Sequence, residues 1–396
     1  MRSGLTSLPC TMDRLTALDN SCLYIENDSA YMHVAGCLVF EGPPPEYGEF
    51  VQDFASRLHR VRRYRQRLAF LPFGQVRLVW IDDPHFNLTY HVSHTALPRP
   101  GDDEQLKRLA GRVFSQPHDR SRPLWEMWLV DGMNDNRFTL LSKTHHALID
   151  GVSSVDLATV LFDSSPHPVP VVPLEHDWIP RPGPSDVQLL ASALLEPPRE
   201  LVRGVRTVLR GPRAFAGRLR EALAGVGAQA RAGLQPAPPS PFNVGIGRHR
   251  RFTWVRGDLA EFKMIKNAVG GTVNDVILAV VADALGRYMR LHGERTDGVV
   301  LKAMVSVSTR ADIEQGVLGN RVSAMWAPLP VGKTNPVARL HAVSAATTDL
   351  KDSGQAAGVD VLVRLTALAP TTIMAQAARL QAHQRMFNLV VTKACR

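Results

Sequence analysis

The chain is poor in cysteine, in lysine and in long apolar runs, and each shortage closes off a class of protein. Its 396 residues hold four cysteines, Cys10, Cys22, Cys37 and Cys395, and no CxxC pair. Neither a disulfide framework nor a cysteine zinc site is expected, and free thiols suit a reducing cytosol. The apolar run Val276 to Ala282 stops at Asp283. A membrane-crossing helix needs about 20 apolar residues, so none is expected. Met1-Arg2-Ser3-Gly4-Leu5 has no apolar stretch behind its charge, which predicts no secretory leader. With 45% hydrophobic and 21% charged residues the chain is not a disordered polymer. Without a glycine period it is not collagen-like.

What is present is arginine. The formal net charge is +9 with only eight lysines, and the isoelectric point is near 9.7. Such a balance favours nucleic acid, anionic membrane or anionic small substrates. No aromatic-interleaved basic patch or nucleic-acid motif accompanies it, so no nucleic-acid partner is expected.

The length suits two domains. His33 to Glu41 alternates as a strand, and Val76 to Ile81 reads as another. Asp103 to Ser115 places Leu106, Leu109, Val113 and Phe114 on one helical face. Strands follow at Glu126 to Val130 and Arg137 to Thr144, then a helix from Val152 to Phe162. Proline crowds residues 164–185 and again 235–241, which marks a linker. From Arg250 the alternation resumes. A strand to Arg256, helices from Asp258 and Thr272, and a strand from Val299 to Val307 are expected. Helical patterns then run to about Arg385, before a last strand at Phe387 to Thr392. The expected plan is α/β in two halves: residues 1–163, a Pro/Arg-rich crossing linker at 164–249, and residues 250–396.

One segment carries chemistry: Lys143-Thr144-His145-His146-Ala147-Leu148-Ile149-Asp150-Gly151. It follows a strand and precedes a helix. Adjacent strand residues point to opposite faces, so one histidine alone can enter a given cleft. Gly151 permits a turn that returns Asp150 towards a ring. That arrangement suits a general base held in one tautomer. Ordinary strand-end histidines are the competing reading, and HHxxxDG between strand and helix outweighs it. Other motifs fail. Gly151-Val152-Ser153-Ser154-Val155 lacks the second glycine of a nucleophile elbow. Gly332-Lys333-Thr334 lacks the first glycine of a phosphate loop, and no HExxH occurs. Opposed histidines make a poor metal site, so no metal is expected.

HHxxxDG resembles the acyltransferase superfamily of chloramphenicol acetyltransferase and peptide-synthetase condensation domains. More closely, the chain is similar to the bacterial wax ester synthase / acyl-CoA:diacylglycerol acyltransferase family. Arg122-Pro123-Leu124-Trp125-Glu126 matches its PLW motif, and Thr272-Val273-Asn274-Asp275 its ND motif. Leu18-Asp19, Met32-His33-Val34, Val305 to Arg310 and Gly319-Asn320 resemble other family segments. The resemblance implies two chloramphenicol-acetyltransferase-like halves, each a mixed sheet with packed helices, and an active-site channel between them. It implies acyl transfer from acyl-CoA, a co-substrate, to diacylglycerol or a long-chain alcohol, with no cofactor. A condensation-type or small-alcohol acyltransferase is the competing enzyme, and a non-catalytic or weakly active acyl-lipid binder the competing non-enzyme.

By that resemblance His146 is the base, with His145 and Asp150 beside it. Arg310 serves as a partner for Asp150 or as a surface arginine. Asn274 lies in the first turn of a helix, where a developing oxyanion finds unsatisfied N–H groups; capping is its equal alternative, and Asp275 is read as a cap. Pro123, Leu124 and Trp125 read as channel wall or packing, and Gly151 as the turn under the substrate. Arg199, Arg203, Arg206 and Arg210 share a helical face suited to an anionic membrane or lipid droplet; a solvated face is the alternative. A cytoplasmic protein is expected, peripheral at the inner face of the membrane or on lipid droplets. Family members usually continue from a segment like Phe387 to Thr392 into Asn-Val-Pro-Gly-Pro and further strands. Here Lys393-Ala394-Cys395-Arg396 follows. The expectation is an incomplete second half with an uncovered apolar edge, low stability and weak activity.

Overall fold

The computed structural model describes residues 13–15, 17–69, 78–148, 162–163, 178–185, 187–188, 236–308, 322–352 and 386–392. The chain divides into two compact units. One holds residues 1–197, 246–253 and 370–375, the other 198–245, 254–369 and 376–396. Segment 246–253, placed by sequence across the linker and the second half, is part of the first unit. There the Arg250 N–H donates to the Ser115 hydroxyl at 2.6 Å. The Arg250 carbonyl also lies only 3.0 Å from where a Cβ on Gly111 would stand.

The first unit runs β1 (Asp13–Arg14), α1 (Ala17–Ile25), β2 (His33–Glu41), α2 (Tyr47–Arg57), β3 (Gln66–Ala69), β4 (Val79–Asp82), β5 (Val92–Ala96), α3 (Asp103–Phe114), β6 (Trp125–Met133) and β7 (Arg137–His145). Its larger sheet has the order β2-β7-β6-β5, and a smaller one β1-β4-β3. β7 runs antiparallel to both β2 and β6, while β5 lies parallel to β6. Local chemistry fixes the element ends. Asp102 and Gln105 form a capping box that starts α3, satisfying N–H groups the helix itself leaves open. Asp135 and Asn136 adopt φ of 57° and 50° between β6 and β7, a left-handed geometry their short polar side chains tolerate. The core gathers Leu15, Phe54, Leu58, Leu68, Leu124 and Trp125.

The second unit runs α4 (Leu259–Val269), α5 (Val273–Leu291), β8 (Leu301–Ser308), β9 (Val322–Leu329), α6 (Pro336–Asp352) and β10 (Leu389–Val391). Its sheet order is β10-β8-β9, with β10 parallel and β9 antiparallel to β8. Val276, Leu278, Ala282, Leu301, Ala327 and Val343 share its core. Asn388 ties the last strand in: it exchanges bonds with Lys302 at 2.8 Å, and its amide donates to Pro238 and Asn243.

Two expectations are corrected. Arg250 to Arg256 forms no strand, and Val255 is 95% exposed. Val322–Leu329, read as helical, is β9. Its alanines and methionine favour helix, but Met325, Ala327 and Leu329 are buried opposite Val305, Ala303 and Leu301. Burial of that alternate set decides the element against local propensity. The helix expected at Val152 to Phe162 falls almost wholly, and the Arg199 to Arg210 helix entirely, outside the described residues. No single helix among the described residues is long and apolar enough to cross a membrane.

Candidate active site

Register assembles the site. Across β2 and β7, His33 pairs with His145; across β6 and β7, Glu126 pairs with Lys143. Because side chains alternate, these four stand on one face of the sheet. His145 ends β7 and is 1% exposed. Its N–H donates to the Leu124 carbonyl at 2.9 Å, and the His146 N–H to the Met32 carbonyl at 2.8 Å. The Leu148 N–H then closes a turn onto the His145 carbonyl at 2.9 Å. His146 therefore leaves the strand on a turn pinned from two sides. Its half-buried ring makes no hydrogen bond among the described residues. Burial, then the neighbouring His145, push its pKa below 6.5, so the imidazole is neutral at pH 7.

Behind the turn lies a buried polar cluster. The His145 Nδ1 accepts the Ala147 N–H at 3.0 Å. The ring proton therefore sits on Nε2, which faces the Glu26 carboxylate at 3.4 Å, longer than a well-formed hydrogen bond. Glu26 also accepts from Arg120 at 2.5 Å and from the Met32 N–H at 3.2 Å. Burial alone would raise the Glu26 carboxyl; the facing His145 ring and the hydrogen-bonded, charged Arg120 guanidinium outweigh it and hold the pKa at about 2. Glu126 is also held at about 2, where His118 and Lys143 overcome the effect of burial. The Lys143 ammonium, 1% exposed, meets Glu126 at 3.1 Å and donates to the Gln116 carbonyl at 3.1 Å. His118 stands edge-on to His33 and His145, with ring centroids 5.6 and 6.5 Å away. Burial lowers its pKa as well.

The other expected site residues fall as follows. Pro123, Leu124 and Trp125 are buried. Trp125 packs against Phe54, Tyr64 and His91, and its indole donates to the Tyr64 carbonyl at 2.9 Å. These residues are packing, and through its carbonyl Leu124 also holds the end of β7. In the second unit Thr272 and Asp275 form the expected capping box of α5. Asp275 accepts the Thr272 N–H and hydroxyl, each at 2.8 Å, and the Thr347 hydroxyl at 2.7 Å. Asn274 sits in that first turn, half-buried, with no hydrogen bond among the described residues. Asp150, Gly151 and Arg310 lie outside the described residues.

Clefts open among the described residues of the first unit. One, of 640 Å³, is lined by Glu26, Tyr31, Arg112, His118, Arg120 and Arg248 among others. Two of its arginines are already engaged, Arg120 with Glu26 and Arg248 with Asp28. Another, of 540 Å³, is lined by Leu58, Arg65, Phe86, Tyr90 and Trp178 among others.

Sequence reasoning missed the support of the histidine turn. Glu26, His118 and Arg120 lie far from residue 145 in the chain and outside any motif named above. His33, Glu126 and Lys143 were in quoted segments, yet only strand register reveals that they meet.

The family profile of the wax ester synthase/diacylglycerol acyltransferase catalytic domain matches residues 15–277, and that of its C-terminal domain matches residues 318–394. The chain is 34% identical over 390 residues to a putative diacylglycerol O-acyltransferase of Mycobacterium bovis, covering 96% of this chain and 83% of the relative. A probable diacylglycerol O-acyltransferase of Mycobacterium tuberculosis is 33% identical over 351 residues, covering 87% and 72%. Among solved structures, the wax ester synthase/diacylglycerol acyltransferase of Marinobacter aquaeolei is similar with a TM-score of 0.61 and 25% identity, covering 96% of this chain and 82% of that one. The first condensation domain of the CDA synthetase shares the fold, with a TM-score of 0.54 and 16% identity, covering 87% and 76%.

Proposed function

Because the chain belongs to the wax ester synthase/diacylglycerol acyltransferase family, we propose that it transfers a fatty acyl group from acyl-CoA to the hydroxyl of a diacylglycerol or a long-chain alcohol, with His146 as general base. The carrying observation is the His146 imidazole: neutral at pH 7, without a hydrogen bond among the described residues, and set on a turn pinned by backbone bonds. In the reaction a C–O bond forms as the thioester C–S bond breaks. The hydroxyl proton moves to the His146 ring and from there to the departing CoA thiolate. A thiol pKa of roughly 8.5 makes that thiolate a stable leaving group, so no covalent acyl-enzyme is needed. Asn274, near the N-terminal dipole of α5, serves the oxyanion. Leu124 and Trp125 act through packing.

The test is turnover of palmitoyl-CoA with diolein and with hexadecanol. His146→Ala should lower kcat by about 10²- to 10⁴-fold with an unchanged thermal melt. Because the His146 pKa in the free protein lies below 6.5, the acid limb of wild-type kcat/KM should also fall below pH 6.5. Near-normal turnover by folded His146→Ala protein refutes the assignment of the base.

A further inference from the structure

We propose that Glu26 is the positioning residue for His146, a single buried carboxylate that brackets the histidine turn from both sides. The inference rests on the reading of His146 as the base. Two short paths run from Glu26 to the backbone flanking that residue. On one side the Glu26 carboxylate accepts the Met32 N–H at 3.2 Å, and the Met32 carbonyl in turn accepts the His146 N–H at 2.8 Å. On the other side the carboxylate faces the His145 Nε2 at 3.4 Å, and the His145 Nδ1 accepts the Ala147 N–H at 3.0 Å. Consecutive amides, 146 and 147, are thus tied to the same side chain through different intermediaries.

The chemistry of the carboxylate suits that task. An ionised carboxyl has only acceptors, and every group aimed at this one is a donor: the Met32 N–H, the Arg120 guanidinium and the Nε2–H of His145. It also selects the His145 tautomer, because a proton on Nε2 leaves Nδ1 free to receive the Ala147 N–H. The Glu26 side chain is 8% exposed, so water does not readily replace it. With a pKa of about 2 it stays ionised wherever His146 is neutral. Arg120 fixes the carboxylate in turn at 2.5 Å and also donates to the Leu23 carbonyl at 3.2 Å, near the end of α1. The route from helix to base is therefore α1, Arg120, Glu26, then His145 and Met32, then His146.

Glu26→Gln separates this role from simple packing. The amide keeps the shape but turns one acceptor into a donor, so at least one path is broken. In the full chain, kcat with palmitoyl-CoA and diolein should fall about 10- to 100-fold, as expected when a reacting group is misplaced by about 1 Å, while both KM values stay put. In a His146→Ala background Glu26→Gln should cost nothing further, because it acts through the missing ring. A folded Glu26→Gln protein with wild-type kcat overturns the proposal, and so does an undiminished loss in the His146→Ala background. Normal turnover by His146→Ala alone overturns the general-base reading and this proposal with it; an inactive His146→Ala beside a normal Glu26→Gln overturns this proposal only. Should Glu26→Gln fail to fold, His145→Asn decides. Its carboxamide oxygen can keep the Ala147 N–H but cannot reach Glu26. Lowered kcat at constant KM supports the bracket, and unchanged kcat overturns it.

Discussion

Replacing His33 with glutamine should make the first unit less sensitive to mild acid. The His33 Nε2–H donates to the Phe114 carbonyl at 3.0 Å, while Nδ1 is buried without a hydrogen-bond partner among the described residues. Protonating Nδ1 would bury a second N–H with no acceptor, close to Lys143 and His118. Burial first, then the charges of His118 and Lys143, lower the His33 pKa from 6.5 to about 4; the Phe114 carbonyl and the more distant Glu26 charge oppose this and lose. The unfolded chain binds this proton near pH 6.5, the folded one only near pH 4. Between those values the unfolded state holds more protons, so stability falls as pH falls and levels off below about 4. The gap converts to about 3 kcal/mol. The ring is partly exposed, and screening by solvent reduces this to about 2 kcal/mol. Glutamine keeps a donor for the Phe114 carbonyl and does not titrate. His118, His91 and His146 also have lowered pKa values, so wild type and variant both lose stability here, and His33 is read from the difference. Glu26 and Glu126 contribute only below pH 4.5, and the comparison is cleanest between pH 6.5 and 4.5. The two units need not unfold together, so the assay is native-state amide exchange across β2 and β7, corrected for intrinsic pH dependence. Equal losses in wild type and His33→Gln across this window refute the reasoning.

Three further outcomes are expected. Glu126→Ala leaves the Lys143 ammonium, 1% exposed, without its carboxylate, which should cost about 3–5 kcal/mol at pH 7 in a urea titration; since the folded-state pKa is about 2, the deficit should shrink as pH falls from 4.5 towards 2. Asp275→Ala removes the capping box and the partner of Thr347 and should destabilise the second unit by about 2 kcal/mol, whereas Asn274→Ala should lower turnover and leave the melt unchanged.

How far the sequence reaches depends on the distance over which each signal acts. Helix starts are local. Asp102 with Gln105, and Thr272 with Asp275, lie three residues apart, and the structure finds both capping boxes where those residues stand. β2 was readable because His33–Glu41 is long and alternating. β9 was not readable, because its residues favour helix when taken alone. Only the facing residues of β8 turn Met325, Ala327 and Leu329 into a buried row. Segment 250–256 fails in the opposite sense: it reads as a strand in the sequence, but it forms none in the structure.

The same distinction explains the site. HHxxxDG and the flanking strand placed His145 and His146 at the end of β7 from sequence alone, because motif and strand are contiguous. Alternation also said that the two rings diverge, and the structure buries His145 while His146 stands on the turn. What holds that turn could not be read in the same way. Glu26 precedes His145 by more than a hundred residues, and Arg120 by twenty-five. They meet only because β2 pairs with β7 so that residue 33 faces residue 145. A shift of that pairing by one residue would send Lys143 and His145 to the opposite face and separate them from Glu126, His118 and Glu26. The register is fixed elsewhere, by buried apolar residues such as Leu140 and Leu141 along β7 and Leu129 and Val130 along β6. The apolar core thereby determines which carboxylate stands behind His146, although no apolar residue takes part in the proton transfer proposed for it.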